Sequence, residues 1–363
     1  MSMRLFQNSG INPSYRSRMD AIARAATSFE ARRRAFLADR SGACHFLRPV
    51  LDGEPTAFFT NADDVPLQKM WAAEHGLPAA APLETILLAQ IEQHRTEVFY
   101  NMDPVRYQSD FIRRLPGCVR ESIAWRAAPS PRMDFSAYSA IVCNFPAILS
   151  GYRRMGWRAE YFSPAHDPVM DEYASNEDRP IDVLFVGGYS RHHSRRAQVL
   201  EAIARLGDRY TVRLHLDQSR LNRLAESPLG WLLPLRQHKR PKTIIALAKG
   251  PIFGLDLYRA LAQAKIVLNA AVDMAGDERG NMRCFEVLGC RAAMVSDAGK
   301  YPPDMDSDHS MIMYTDFHSV AATVEKFLRD DVRRRAIADR GFQIMRTRYS
   351  KQRQWTEFCA LVQ

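Results

Sequence analysis

The sequence predicts an α/β protein built from two doubly wound, Rossmann-like domains in series, each a parallel sheet covered by helices. Three observations carry that expectation. Short apolar runs alternate with stretches of helical period along the chain, most runs lack polar alternation, and the pattern breaks once before restarting. Strands that alternate with helices imply parallel crossovers, and strands buried on both faces read as unbroken apolar runs.

The elements follow in order. Residues 3–7 read as a short strand around Leu5 and Phe6, Asn8-Ser9-Gly10-Ile11-Asn12-Pro13 is turn-rich, and a helix rich in alanine and arginine comes next. Further strands are expected at 56–60, 97–100, 122–127, 140–144 and 160–163, with helical patterns at 83–94 and 146–155. This makes a first domain over 1–165. Residues 166–180 carry His166, Asp167, Pro168, Asp171, Glu172, Glu177 and Asp178 and few core residues, which is the composition of a linker. A second domain over 181–345 restarts with the run 181–186, broken only by Asp182, then Gly187-Gly188-Tyr189-Ser190 and a helix from about Arg191 to Leu206. More strands are expected at 211–216, 243–247, 265–270, 292–296 and 311–314, and helices at 316–328 and 331–349. A tail over 346–363 holds Trp355 and Phe358.

Composition bounds the function. At 363 residues, 46% hydrophobic and 25% charged, the chain is too long for one core and ordinary for a folded protein. No segment approaches ~18 consecutive apolar residues, which argues against a membrane-spanning helix. The first ten residues hold too short an apolar core for a signal peptide, so a cytoplasmic protein is expected. Six cysteines stand without a C-x-x-C pair, which gives no support to a zinc ribbon or a thioredoxin-like site. The net charge of +9 is uneven: residues 1–178 hold 20 Lys+Arg against 21 Asp+Glu, and residues 179–363 hold 30 against 20. A basic second half suits a polyanionic ligand or contact with acidic surfaces.

Two constellations could carry chemistry. In the first, the buried run 181–186 leads into Gly187 and Gly188, whose missing side chains let a phosphate approach the backbone, and then into a helix whose first amides point at it. Ser190, Arg191, Arg195 and Arg196 could add donors and charge. The spacing is neither G-x-G-x-x-G nor a Walker loop. Adjacent His192 and His193 cannot share one helix face as metal ligands. In the second, Asp277-Glu278-Arg279-Gly280-Asn281-Met282-Arg283-Cys284-Phe285-Glu286 opens a helix that leads into a strand. Glu286 lies among apolar residues and needs a partner. Adjacent ribose hydroxyls would serve, and so would Arg283 at i and i+3. Gly280, Asn281 and Met282 would present free amides, with Arg283 reaching a diphosphate.

These residues resemble a family. The spacing Glu278-x7-Glu286, the run Phe285-Glu-Val-Leu-Gly-Cys-Arg-Ala-Ala-Met-Val-Ser296 and the upstream segment from Gly250 to Asn269 are similar to GT-B glycosyltransferases, group-1-like. Arg283-Cys-Phe-Glu286 resembles the Arg-x-Phe-Glu motif of the spore-maturation (CgeB-type) members. The resemblance covers about residues 181–350. It implies a GT-B fold with parallel sheets facing a central cleft and a terminal helix crossing back to the first domain. It also implies transfer of a sugar from a nucleotide-diphospho-sugar donor, with no other cofactor and no metal. Glu286 would hold the ribose, and Gly187, Gly188, Ser190, Arg191 and Arg283 would lie near the diphosphate. Glu278 would face the sugar, and Phe253 and Gly254 the base. Glu278 and Arg283 would be the catalytic pair. Where the family pattern has glycine this chain has Arg291, and the usual lysine-glycine after the first loop is absent.

The acceptor would meet the first domain at Asn8, Ser9, Gly10 and Asp103. A glycan, a lipid-linked or a protein acceptor is expected. An inverting transfer needs a general base, for which Asp103, Asp63 and Asp64 stand after strands; a retaining one relies more on the leaving phosphate. The acidic run Asp304-Met-Asp306-Ser-Asp308 lacks the glycine and glutamate of a calcium loop. The stretch 231–242 mixes apolar and cationic residues and suggests peripheral contact with the inner face of a membrane. Rival readings are a non-transferring sugar-nucleotide-binding protein, an epimerase, and an S-adenosylmethionine-dependent methyltransferase using Asp217. No nucleic-acid partner is expected, because basic and aromatic residues do not interleave on one module.

Overall fold

Among the described residues, twelve strands fall into two all-parallel sheets of six. The computed structural model describes residues 3–189, 194–217, 220–231, 239–270 and 276–363. Contacts divide the chain into one unit of Met1–Ala165 with Lys351–Gln363 and a second of His166–Ser350. Among the described residues, no helix is long and apolar enough to cross a membrane.

In the first unit the strands are β1 (Leu5–Asn8), β2 (Ala57–Thr60), β3 (Val98–Asn101), β4 (Glu121–Trp125), β5 (Ala140–Cys143) and β6 (Ala159–Tyr161), in the order β2-β1-β3-β4-β5-β6. The order reverses between β1 and β3, and the register pairs Asn8 with both Thr60 and Asn101 at the carboxyl edge. Phenylalanines fill the layer beside these strands: Phe6 stacks on Phe58 at 4.9 Å and Phe36 on Phe59 at 5.6 Å.

The helix Lys351–Leu361 belongs to this unit. Its first residue, Lys351, is buried and donates to the carbonyls of Ala43, Cys44 and Phe46 at 2.8, 2.9 and 2.7 Å. Phe358 packs against Tyr100 and Phe162 with ring centroids 5.1 and 5.8 Å apart. Burial, aided by the Lys351 ammonium, pushes the His45 imidazole down to about 3.

The second unit has β7 (Ile181–Gly188), β8 (Val212–Asp217), β9 (Ala248–Lys249), β10 (Ala264–Asn269), β11 (Ala293–Asp297) and β12 (Ile312–Tyr314). Their order, β12-β11-β10-β7-β8-β9, is the doubly wound order of dinucleotide-binding sheets, with its reversal between β7 and β10. Helices Ser194–Ala204 and Ser319–Arg329 pack on the buried faces of these strands, through Leu200, Ile203, Val320 and Val324.

Residues 243–247, expected as a strand, are instead in the helix Lys242–Leu247, and only Ala248–Lys249 pairs with β8. Pro241 stands at the N-cap, and Ile244 alone is buried. A five-residue apolar run fits either period, and the proline decides it. Residues 166–180, read as a linker, lie in the second unit and contain the helix Met170–Ala174, with both of its ends buried. A Cβ on Gly289 would come within 2.3 Å of the Met170 sulfur, so helix 282–289 packs closely against this stretch.

The neutral His45 sets a pH dependence. The unfolded chain takes up its proton near the ordinary value of 6.5, whereas the folded chain does not until about pH 3. Stability is therefore lost as pH falls below about 6.5, by up to about 1.4 kcal/mol per pH unit for one such group. Melting followed from pH 7 to pH 5 should show a steady fall, and the His45 ring resonance should not titrate above pH 4. A level melting temperature would contradict it.

Candidate functional site

The strand-order reversal in the second sheet places the ends of β7 and β10 side by side, where a parallel sheet opens a crevice for ligands. Gly187 and Gly188 end β7. A Cβ on Gly187 would come within 3.0 Å of the Phe185 ring, but one on Gly188 would meet nothing within 4 Å among the described residues. Among the described residues, packing does not demand the second glycine, and a backbone without a side chain admits close approach.

Arg196 holds this crevice together. Its Nε donates to the Ala270 carbonyl at 2.9 Å and its Nη1 to the Gly188 carbonyl at 3.4 Å, so one guanidinium ties the ends of β7 and β10. Expected as a phosphate ligand, it is a clamp on the strands instead, because two loop carbonyls there need donors. Arg195 is exposed. Ser190, Arg191, His192 and His193 lie outside the described residues.

The opposite wall is the loop 276–281. Arg279 is buried and binds Asp297 Oδ2 at 2.5 Å and the Gly276 carbonyl at 2.6 Å. Its backbone N–H donates to the Lys300 carbonyl at 2.7 Å. Gly299 admits this packing, since a Cβ there would lie 2.6 Å from the Asp277 carbonyl oxygen. Gly280 has φ 135, open to glycine alone. Glu278, half-buried, is carried on this braced loop.

Asn281 stands at the N-cap of the helix Met282–Gly289 but makes no side-chain cap bond. Its amide turns to Asn269 Oδ1 at 3.1 Å, while Asn269 donates to Ser296 Oγ at 3.0 Å. The register that pairs Asn269 with Ser296 sets up this chain, and Tyr301 completes it with a 2.6 Å bond to Ser296. The first-turn amides of the helix, at Met282 and Arg283, thus lack a side-chain cap.

Glu286 is 2% exposed. Among the described residues its carboxylate has one hydrogen-bond partner, Arg283 Nη1, which donates to Oε2 at 2.7 Å. The structure therefore shows the i,i+3 pair, and burial holds the carboxyl above its ordinary range despite the arginine. Cys284 beside it is pushed up to about 12 by burial, which keeps its thiol inert. Phe253 and Gly254 lie after β9 on the same carboxyl edge; Gly254, with φ 56, opens the helix Gly254–Ala262. His215 of β8 bonds the Gly250 carbonyl at 2.8 Å and fastens that loop to the sheet. Asp217 ends β8 and is exposed.

Arg291 does not enter this crevice. It sits at φ 55, the left-handed geometry that glycine would take without strain, and its guanidinium binds Asp339 and Glu177. Asp304 pairs with Arg348 at 2.9 Å and Asp308 with Arg333 at 3.0 Å, which ties the acidic run to the helix Asp331–Thr347 and to the cap residue that follows it. In the stretch expected to meet a membrane, residues 232–238 lie outside the described residues. Arg240 there is buried and paired with Glu226 at 2.5 Å, so it is not free to face lipid.

In the first unit, register brings Asn8, Gly10 and Asp103 together. Asn8 donates to Asn101 Oδ1 at 2.9 Å and accepts from the Ala62 amide at 3.0 Å. The Ser9 carbonyl accepts from Asn61 at 3.0 Å. Both are buried scaffold residues. A Cβ on Gly10 would lie 3.1 Å from Asp103 Oδ2, whose other neighbour is Arg106 at 3.0 Å. Arg32 grips Asp64 through two bonds of 2.7 and 3.0 Å. Asp63 takes the Ile11 amide at 2.9 Å and Arg16 at 3.0 Å, with burial raising its carboxyl. Asp103, with 23% of its side chain exposed against 5% for Asp63, is the most open of the three.

Residues 195–360 match the model of a family described as glycosyl transferase-like. No curated protein sequence matches the chain. Among solved structures it is similar to Anabaena Alr3699/HepE in complex with UDP-glucose, at 12% identity and TM-score 0.57 over 99% of each chain. It is also similar to a glycosyltransferase from Rickettsia africae, at 8% identity and TM-score 0.58 over 99% of this chain and 98% of that one. A third is sucrose-phosphate synthase from Thermosynechococcus elongatus, at 12% identity and TM-score 0.55 with the same coverage. The shared architecture is the GT-B fold.

The polar chain beneath the helix is testable. Asn269→Leu removes the bonds to Ser296 and Asn281, leaving Ser296 with Tyr301 alone and the half-buried Asn281 amide without this acceptor, which should cost about 1–3 kcal/mol. Urea unfolding should show a lower midpoint at an unchanged slope; an unchanged midpoint would mean that the network is not holding the loop.

Proposed function

We propose that this enzyme, glycosyl transferase-like over residues 195–360 and GT-B in fold, binds a nucleotide-diphospho-sugar on the carboxyl edge of its second sheet and passes the sugar to a glycan, lipid-linked or protein acceptor. The observation that carries the reading is Glu286. A buried carboxylate with room for several hydrogen bonds makes one among the described residues, one turn into a helix whose N-cap side chain makes no cap bond. A ribose diol supplies two donors at the spacing of two carboxylate oxygens, and so offsets the burial.

In this reading Met282 and Arg283 offer backbone amides to the diphosphate, and Gly188 lets it approach. Charge on the departing diphosphate is offset by these amides and by the Arg283 guanidinium rather than by a metal. Glu278 orients the sugar from the loop that Arg279 braces. Phe253 and Gly254 bound the space for the base. The solved Anabaena relative holds UDP-glucose, which supports a uridine-diphosphate donor here. The spelling Arg283-Cys-Phe-Glu286 supports the spore-maturation subfamily. In the first unit Gly10 and Asp103 form the acceptor side, with Asp103 the general base if configuration inverts.

A panel of nucleotide sugars and S-adenosylmethionine, screened by melting shift and calorimetry, tests this. One class of nucleotide sugar should stabilise the protein, with the same affinity in EDTA. Glu286→Gln should weaken it about tenfold or more, and Arg283→Met should lower turnover more than donor affinity. Equal donor binding by wild type and Glu286→Gln refutes the ribose assignment. Stabilisation by S-adenosylmethionine alone overturns the whole reading.

A further inference from the structure

A cavity of about 680 Å³ lies beside the edge strand β2, between the helix Phe29–Asp39 and residues 50–57. Arg4 and His94, which precede β1 and β3, line it from the amino ends of the strands. Asn8, Gly10 and Asp103 stand at the other end of the sheet, so this space is not part of the acceptor loops. Its size is that of a small-molecule site.

The lining has two characters. Phe58, Trp71, Leu37 and Val50 give apolar wall. Against it stand four arginines, at 4, 33, 34 and 40, and only two glutamates, at 30 and 54. Arg33 crosses the wall, with its guanidinium 5.5 Å from the centroid of the Phe58 ring and 5.9 Å from that of Phe29. One terminal nitrogen reaches Glu30 at 2.5 Å, but its buried Nε has no partner among the described residues. Arg4 uses its Nε on the His94 carbonyl at 2.7 Å, and its two terminal nitrogens have no hydrogen bond within the described residues. Burial, with Arg4 and Arg33 nearby, pushes His94 down to about 4, so the imidazole adds no charge at neutral pH.

Unspent guanidinium donors against stacked rings call for a ligand with two ends. A bare anion would leave the rings wet, and an apolar molecule would bury cations without a counter-charge. We propose that this cavity binds an amphipathic anion, one phosphate or carboxylate group on an apolar or aromatic body. Arg4 and Arg33 take the anionic group, and the body lies along Phe58 and Trp71. The site is independent of the donor site in the second unit and stands whether or not that reading holds.

Calorimetry on the full chain with naphthyl phosphate, dodecyl phosphate, inorganic phosphate and naphthol tests it. One amphipathic phosphate should bind saturably, one per chain, at least about tenfold more tightly than inorganic phosphate or naphthol. Arg33→Gln and Arg4→Gln should each weaken it about fivefold or more, while nucleotide-sugar binding stays unchanged. Leu37→Trp, which fills the cavity and removes no charge, should abolish binding and keeps the test valid if an arginine variant misfolds. Tighter dodecyl phosphate, together with retention on phosphatidic acid vesicles that Arg33→Gln abolishes, assigns a lipid headgroup. Tighter naphthyl phosphate without vesicle retention assigns a soluble aromatic anion. Absence of saturable binding, equal binding of all four probes, or wild-type binding in folded Arg33→Gln and Leu37→Trp overturns the proposal.

Discussion

In a parallel sheet every strand is entered from the same end, so all the loops that follow strands emerge along one edge. The second unit turns that constraint into a place for a ligand. Where its order reverses, the carboxyl ends of β7 and β10 stand side by side. Arg196 meets Gly188 and Ala270 together and keeps the gap at a fixed width. The chain of Asn281, Asn269, Ser296 and Tyr301 fixes the helix N-terminus on the other side. Glu278, Arg283 and Glu286 inherit their positions from these supports.

Much of this was legible along the chain because it is local. Glycines after an apolar run, and Gly280-Asn281-Met282 before an amphipathic helix, are neighbours in sequence and turned out to be neighbours in space. The pair Arg283 and Glu286 is a single helical turn, so its geometry could be anticipated from spacing alone. Arg279 with Asp297, Arg196 with Ala270, and Asn269 with Ser296 could not be paired by reading, since each joins residues brought together only by strand register. The one hint was that Asn269, Ser296 and Asp297 are polar residues ending apolar strands at the edge where ligands bind. The helix at 242–247 was misread for a different reason: its apolar run is shorter than either period needs to declare itself.

Charge tells a similar story. The basic surplus of the second half suggested a surface for polyanions, yet several of its arginines are internal. Arg240 and Arg334 are buried against Glu226 and Asp331, and Arg279 against Asp297. Arg179 is half-buried against the carbonyls of Ala264 and Cys290, where desolvation brings its guanidinium down to about 10. A guanidinium has five donors in a rigid plane, which suits it to close off loop carbonyls that no strand can reach. Counting cations therefore overstated what this half offers to a ligand.

The helix Lys351–Leu361 makes the second unit an insertion within the first. Phe358 fills space beside Tyr100 and Phe162, and Lys351 satisfies three carbonyls around His45. On the ribosome, then, the first sheet cannot finish its core until Lys351–Leu361 has emerged, after every residue of the inserted unit.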